Sequence, residues 1–212
     1  MRADCVEWRI DCFEGAKDLP AIEHCAAKLR VALKDKLLLF TFRTKSEGGK
    51  VALAHEEYLH FIRTVLATDC ADLIDIEFFT AGAELPALIE EAHTAGAAVV
   101  CSSHDFHKTP PRAELVSRMV AMQQAGADLP KLAVMPQSRT DVLELLAATA
   151  EMADRHPETP IITTSMGALG AVSRLSGEAL GSAMTFANPG QASAPGQVSL
   201  EVVNEVLDAL HL

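Results

Sequence analysis

The sequence predicts an α/β fold in which strands and helices alternate from end to end, closed into a TIM-type (β/α)8 barrel. Short apolar runs, typical of buried parallel strands, alternate with longer stretches typical of helices. Polar residues follow several strands, and no glycine-rich first turn is visible. An open doubly wound sheet places its site at one switch point, whereas a barrel gathers many strand ends around one pocket. The barrel is therefore the preferred architecture.

Seven strands are predicted, where a complete barrel has eight. They lie at Cys5–Asp11, Leu37–Phe42, Leu73–Glu77, Ala98–Ser103, Leu132–Met135, Ile161–Ser165 and Met184–Ala187. Helices are predicted at 20–33, 53–68, 83–95, 112–125, 139–155, 170–180 and 199–211. Residues 1–212 are expected to form a single catalytic domain. Because the chain enters a strand almost directly after Met1, we expect the first β-α unit to be the missing one.

Composition excludes several classes of protein. The formal net charge of −11 argues against nucleic-acid binding, which needs a basic surface. The five cysteines contain no C-x-x-C pair, so neither a disulfide framework nor a zinc site is indicated. No apolar run reaches the ~18 residues of a membrane helix, and the N-terminus lacks the features of a signal peptide. A cytoplasmic protein with free thiols is predicted.

Lys131 is the first candidate for chemistry, because it lies beside or within a strand in the segment PKLAVMP. Burial disfavours the charged form of an amine and so prepares a lysine to attack a ketone. The alternative is a lysine at the strand end whose ammonium reaches water.

His104 follows an apolar run in CSSHDFHKTP and suits general acid and base chemistry near neutral pH. A metal site made by His104, Asp105 and His107 is the rival interpretation, although no fourth ligand is evident. His107 and Lys108 also fit a plain surface loop.

Charged residues also follow the first two strands. In FRTKSEGGK, Arg43 offers a planar fork for a carboxylate, and Glu47 could orient a histidine; a surface ion pair is the alternative. In VEWRID, alternation places Glu7, Arg9 and Asp11 on one side of the strand. Either Arg9 binds an anion with Glu7 beside it, or these charges form a structural network.

The segment after residue 165 is rich in glycine, serine and alanine, which is typical of a tight turn and a mobile loop. Arg174 is a second candidate ligand for a carboxylate. Ser193 and Gln197, in ASAPGQ, could bind substrate hydroxyls from a closing loop, or could belong to a loop without function.

Six segments in register resemble type I 3-dehydroquinate dehydratases: EWRxD, FRTKSEGGK, SSHDFHKTP, PKLAVMPQS, ITTSMGALGAVSRLSGE and SAPGQ. The resemblance runs from about Cys5 to the C-terminus. It implies a (β/α)8 barrel, no metal or organic cofactor, a homodimer, and the dehydration of 3-dehydroquinate to 3-dehydroshikimate.

The resemblance also implies roles for individual residues. Lys131 corresponds to the Schiff-base lysine, His104 to the proton-transfer histidine and Glu47 to its carboxylate partner. Arg174 corresponds to the arginine that holds the substrate carboxylate. The remaining substrate contacts correspond to Glu7, Arg9, Arg43, Met166, Ser193 and Gln197.

Two further interpretations stay open. A class I aldolase would share the lysine chemistry, but sugar-phosphate aldolases need a phosphate site near the last two βα loops. A truncated relic that binds ligand without turnover is the other. Members of the family usually begin with a further strand and helix, so the short N-terminus is expected to expose strand edges unless another subunit covers them.

Overall fold

The structure, a computed structural model, describes residues 3–210, which divide into two compact units. The N-terminal unit comprises Ala3–Ser102 with Ala125–Asp128, and the C-terminal unit comprises Ser103–Gln124 and the chain from Leu129 onward. The single domain over residues 1–212 stays a prediction, and the two ends of that range lie outside the described residues.

The N-terminal unit alternates strands with helices along the chain. Its elements are β1 (Cys5–Arg9), α1 (Leu19–Leu33), β2 (Leu37–Thr41), α2 (His55–Leu66), β3 (Leu73–Glu77), α3 (Phe78–Ala81), α4 (Leu85–Thr94) and β4 (Ala98–Asp105), whose last three residues belong to the C-terminal unit. β1 pairs with β2, β2 with β3 and β3 with β4, always in parallel. Nearly all of β2 and the whole of β3 are buried, as expected of parallel strands with both faces covered.

The C-terminal unit contains α5 (Arg112–Gln124), β5 (Leu129–Val134), α6 (Arg139–Arg155), β6 (Ile162–Ser165), α7 (Ala171–Ser176) and α8 (Leu200–Leu210). β5 and β6 are parallel, with Lys131 beside Ile162. α6 begins where Ser138 and Asp141 cap each other: the Ser138 hydroxyl accepts from the Asp141 N–H, and the Asp141 carboxylate accepts from the Ser138 N–H.

The predicted α/β class is confirmed, and six of the seven predicted strands are present among residues 3–210. The predicted strand Met184–Ala187 is wrong. Backbone–backbone hydrogen bonds flank the segment, where the Ala183 N–H donates to the Ile161 carbonyl at 2.8 Å and the Asn188 N–H donates to the Val198 carbonyl at 2.9 Å. Isolated bridges flank it instead of a ladder.

The predicted helices are present within a few residues of their predicted ends, with two differences. The stretch predicted at 170–180 is divided into α7 and a short 3-10 turn at Glu178–Leu180. The end predicted for the last helix, residue 211, lies outside the described residues. No helix within residues 3–210 is long and apolar enough to cross a membrane.

Candidate active site

Arg43, two residues beyond β2, is the centre of a buried charge cluster in the N-terminal unit. Its Nη2 donates to Asp75 Oδ2 at 2.7 Å, and its Nη1 donates to Glu77 Oε1 at 2.8 Å and to Ser102 Oγ at 2.9 Å. Both hydrogens of Nη1 are therefore in use. Glu47, whose Oε2 is 3.5 Å from Nη1, is attracted by charge rather than held by a short hydrogen bond.

The Arg43 cluster keeps this guanidinium charged although it is buried. Burial by itself would lower the pKa of Arg43, but attraction to Asp75, Glu77 and Glu47 raises the pKa above its ordinary value. The structure thus pairs Arg43 with carboxylates of its own chain. Its predicted contact with the substrate stays a prediction.

The loop that carries Glu47 is fixed by hydrogen bonds and by a close backbone approach. Glu77 accepts from the backbone N–H of Thr44 at 2.9 Å and from the Thr44 hydroxyl at 2.6 Å. A Cβ at Gly49 would lie 1.8 Å from the Arg43 carbonyl oxygen, so only glycine fits there. Glu47 itself is buried in the 3-10 turn Lys45–Glu47.

Arg9, the last residue of β1, and Asp11, two residues later, form an ion pair with two hydrogen bonds. The Arg9 Nε and Nη2 donate to the two Asp11 carboxylate oxygens at 2.8 and 2.9 Å. Burial raises the pKa of Asp11, but the bonds from Arg9 and from the backbone of Lys50 and Arg43 outweigh it, and the net pKa is lowered. Glu7 accepts separately from the Thr41 hydroxyl at 2.9 Å. The structural network that the sequence left open is thus present for Arg9 and Asp11.

Lys131 is the third residue of β5 and its side chain is buried, with 6% of the residue exposed. Its Nζ lies 4.3 Å from the centroid of the Phe186 ring. An ammonium at this distance from an aromatic face makes a cation–π contact. The lysine predicted to carry chemistry is therefore held inside the C-terminal unit.

Arg174, in α7, is 3% exposed, and among residues 3–210 no carboxylate pairs with it. Its Nη1 donates to the Phe186 carbonyl at 3.3 Å and its Nη2 to the Pro195 carbonyl at 3.1 Å. The buried Nε has no hydrogen-bond partner in the described part of the chain, and burial lowers the pKa of the guanidinium. An unsatisfied buried N–H is costly, so this group is suited to receive an anion.

The segment from Phe186 to Ser199, called the SAPGQ loop below, is closed against the end of β6. The Gly167 N–H donates to the Pro195 carbonyl at 3.2 Å, next to the buried Met166. Ser193 and Gln197 bond each other, with the Ser193 N–H donating to Gln197 Oε1 at 2.7 Å. Ser193 and Gln197 thus lie in the SAPGQ loop, whose Pro195 carbonyl accepts hydrogen bonds from Arg174 and from Gly167, the residue after Met166.

Gly196 is expected to control whether the SAPGQ loop closes. It has a φ of +73°, and a Cβ there would lie 2.3 Å from the Gly167 carbonyl oxygen. We expect Gly196→Ala to open the loop and to raise its rate of limited proteolysis by roughly tenfold. An alanine with a positive φ alone costs ~1 kcal/mol, and here the clash of its Cβ with the Gly167 carbonyl oxygen adds to that cost.

Gly190→Ala is the matched control in the same loop. Gly190 also has a positive φ, of +152°, but nothing lies within 4 Å of its added Cβ. Equal proteolysis of the two variants would contradict the role of the Gly196–Gly167 approach.

His104 lies near the end of β4 and is half-buried. The next residue, Asp105, accepts from the backbone N–H groups of His107 and Lys108 at 2.8 and 3.0 Å, so its carboxylate closes the turn after the strand. His107 and Lys108 are exposed. Within residues 3–210 no group of three histidine, cysteine or acidic side chains is placed to hold a metal.

Sequence reasoning missed three residues of these clusters. Asp75 and Glu77 alternate in the otherwise apolar strand LIDIE, and this alternation was the available signal, since it puts both carboxylates on one face. Phe186 carries no comparable signal, because its segment has the composition of an ordinary strand.

The fold and these side chains define an enzyme built from parallel α/β units, with a buried amine and a buried guanidinium in one unit. A family model described as type I 3-dehydroquinase matches residues 1–212. A 3-dehydroquinate dehydratase from Klebsiella pneumoniae strain 342 is 49% identical over 208 residues, covering 98% of this chain and 83% of the relative. A 3-dehydroquinate dehydratase from Bacillus subtilis strain 168 is 47% identical over 211 residues, covering 100% of this chain and 83% of the relative.

The chain belongs to the type I 3-dehydroquinase family. A solved type I 3-dehydroquinate dehydratase from Clostridium difficile, described with covalently modified comenic acid, has a TM-score of 0.95 and 44% identity over 100% of this chain and 83% of its own. The solved 3-dehydroquinate dehydratase from Enterococcus faecalis has a TM-score of 0.92 and 40% identity, covering 99% of this chain and 84% of its own. The predictions of the family, of an enzyme and of the α/β class are confirmed.

Proposed function

We propose that this chain removes water from 3-dehydroquinate to give 3-dehydroshikimate, through a Schiff base on Lys131 with His104 as general acid and base. One observation carries the proposal: the buried Lys131 amine and the buried Arg174 guanidinium both contact Phe186. The substrate carries a ketone, which an amine can attack, and a carboxylate, which a guanidinium with an unsatisfied N–H can bind.

The reaction begins with the addition of the neutral Lys131 Nζ to the ketone carbon. The carbinolamine loses its oxygen as one water molecule and becomes an iminium, whose positive nitrogen withdraws electrons from the neighbouring CH2. Arg174 holds the carboxylate during this step, and that contact fixes the ketone relative to the lysine.

His104 then removes a proton from the CH2 and leaves an enamine. The enamine electrons expel the hydroxyl group two carbons from the iminium carbon, and His104 returns its proton to the departing oxygen. A water molecule hydrolyses the new iminium and releases the product and Lys131, so that one water is lost overall. General acid and base assistance of this kind contributes about 10²–10⁴-fold.

The other predicted residues enter the proposal from the resemblance rather than from geometry. Glu47 is proposed to act as the carboxylate partner of His104. Substrate contacts are proposed for Glu7, Arg9, Arg43, Met166, Ser193 and Gln197. We also propose a cytoplasmic homodimer that needs no metal or organic cofactor.

Borohydride trapping tests the proposed reaction. We expect the protein incubated with 3-dehydroquinate and sodium borohydride to gain a substrate-sized mass, and peptide mapping to place it on Lys131, because borohydride reduces an iminium to a stable amine. Absence of the adduct from folded protein, together with absence of turnover, would refute the proposal. A dependence of the reaction on substrate phosphate would instead favour the aldolase alternative.

A further inference from the structure

We infer that Phe186 is a positioning residue for the proposed reaction: its ring holds the Lys131 nitrogen and stabilises the cation that forms on it. This inference rests on the proposed Schiff base. It starts from the distance of 4.3 Å between Nζ and the ring centroid, well within the ~6 Å over which an aromatic face attracts a cation.

Phe186 is held firmly enough to position a neighbour. Its carbonyl accepts from Arg174 Nη1 at 3.3 Å, and the preceding Thr185 hydroxyl donates to the Arg174 carbonyl at 2.9 Å. Two residues later, the Asn188 N–H donates to the Val198 carbonyl at 2.9 Å. The segment is thus fixed on both sides of the ring although it is not part of a strand.

The ring matters more to the iminium than to an ammonium on the same nitrogen. An ammonium has three N–H donors, whereas a protonated imine keeps the charge but has one. Attraction to the ring does not depend on N–H donors, so it persists when the other bonds are lost. Arg174 donates a hydrogen bond to the Phe186 carbonyl and is also proposed to bind the substrate carboxylate. Phe186 therefore contacts both the lysine and the arginine, and thereby sets the spacing between the lysine and the carboxylate site.

The test replaces the ring while keeping an apolar side chain. We expect Phe186→Leu to lower kcat roughly 3- to 30-fold, with a smaller change in KM, and to lower the fraction of Lys131 trapped by borohydride at saturating substrate. Phe186→Tyr keeps the aromatic face, so its kcat and its trapped fraction of Lys131 should lie within about twofold of those of the unmodified protein. A role in packing alone would not lower the trapped fraction of a folded variant.

Phe78→Leu is the matched control, since Phe78 is also half-buried but its ring contacts the ring of Phe79. It should leave kcat and trapping unchanged. Wild-type kcat and trapping in Phe186→Leu would overturn the inference.

A measurement without substrate separates this inference from the proposed function. In protein labelled with 13C-lysine, the Lys131 ε-CH2 resonance, assigned by loss in Lys131→Met, should be shifted upfield by the ring, and Phe186→Leu should abolish the shift. Absence of that shift would overturn the contact itself. A shift in a protein that forms no adduct would refute the proposed function and, with it, the positioning role of Phe186 in the reaction.

Discussion

Lys131→Met is expected to lower kcat/KM by at least about 10⁴-fold, because it removes the nucleophile on which every later step of the proposed reaction depends. Methionine has an unbranched side chain of similar length, so it can fill the space beside Phe186 without the amine. The loss should therefore appear in turnover rather than in folding. Steady-state kinetics and thermal unfolding of the variant provide the measurement.

Lys28→Met is the matched control for the loss of one lysine. Lys28 lies in α1 and is exposed, so its replacement should leave both activity and borohydride labelling unchanged. A Lys131→Met protein that keeps more than about a tenth of the unmodified rate would contradict the covalent mechanism, because general acid and base groups would then suffice.

Most of the fold could be predicted because the local sequence patterns and the burial of the residues indicate the same strands and helices. The run Leu37–Phe42 is apolar on both faces and becomes β2, and the pattern Ser138 to Asp141 marks the start of α6 at the predicted residue. Met184–Ala187 has the composition of a strand, but a strand also needs a partner for its backbone. Composition carries no information about such a partner, and here backbone–backbone hydrogen bonds flank the segment without forming a strand ladder along it.

The site could be predicted one residue at a time but not as a set of contacts. A lysine in a strand of small apolar residues, such as Lys131, is unusual enough to be noticed from sequence. Asp75 and Glu77, which accept hydrogen bonds from Arg43, are 32 and 34 residues away along the chain, and the pairing of β2 with β3 brings them near. For the same reason the contact of Phe186 with Lys131 could not be predicted.

Arg43→Leu is expected to lower the free energy of unfolding by about 3–5 kcal/mol, the usual cost of breaking a buried ion pair from one side. It would leave Asp75 and Glu77, both completely buried, without their positive partner. Urea unfolding measures the loss. Arg63→Leu is the matched control, because Arg63 holds Glu91 at the same 2.8 Å but both side chains are more than 40% exposed. Its loss should be several times smaller.

Two further measurements show whether charge, rather than lost packing, causes the effect of Arg43→Leu. Adding Asp75→Asn to Arg43→Leu should lower the free energy of unfolding by less than Asp75→Asn does in the unmodified protein. The reason is that the added change removes a buried carboxylate that Arg43→Leu has left without its positive partner. Lowering the pH should also recover part of the lost stability relative to the unmodified protein. In the variant, burial without a positive partner disfavours the charged carboxylates in the folded state, so folded protein takes up protons more readily than unfolded protein and gains stability as the pH falls. Additive losses in the double variant, and a deficit that does not change with pH, would mean that packing around Arg43 rather than its charge holds this part of the N-terminal unit together.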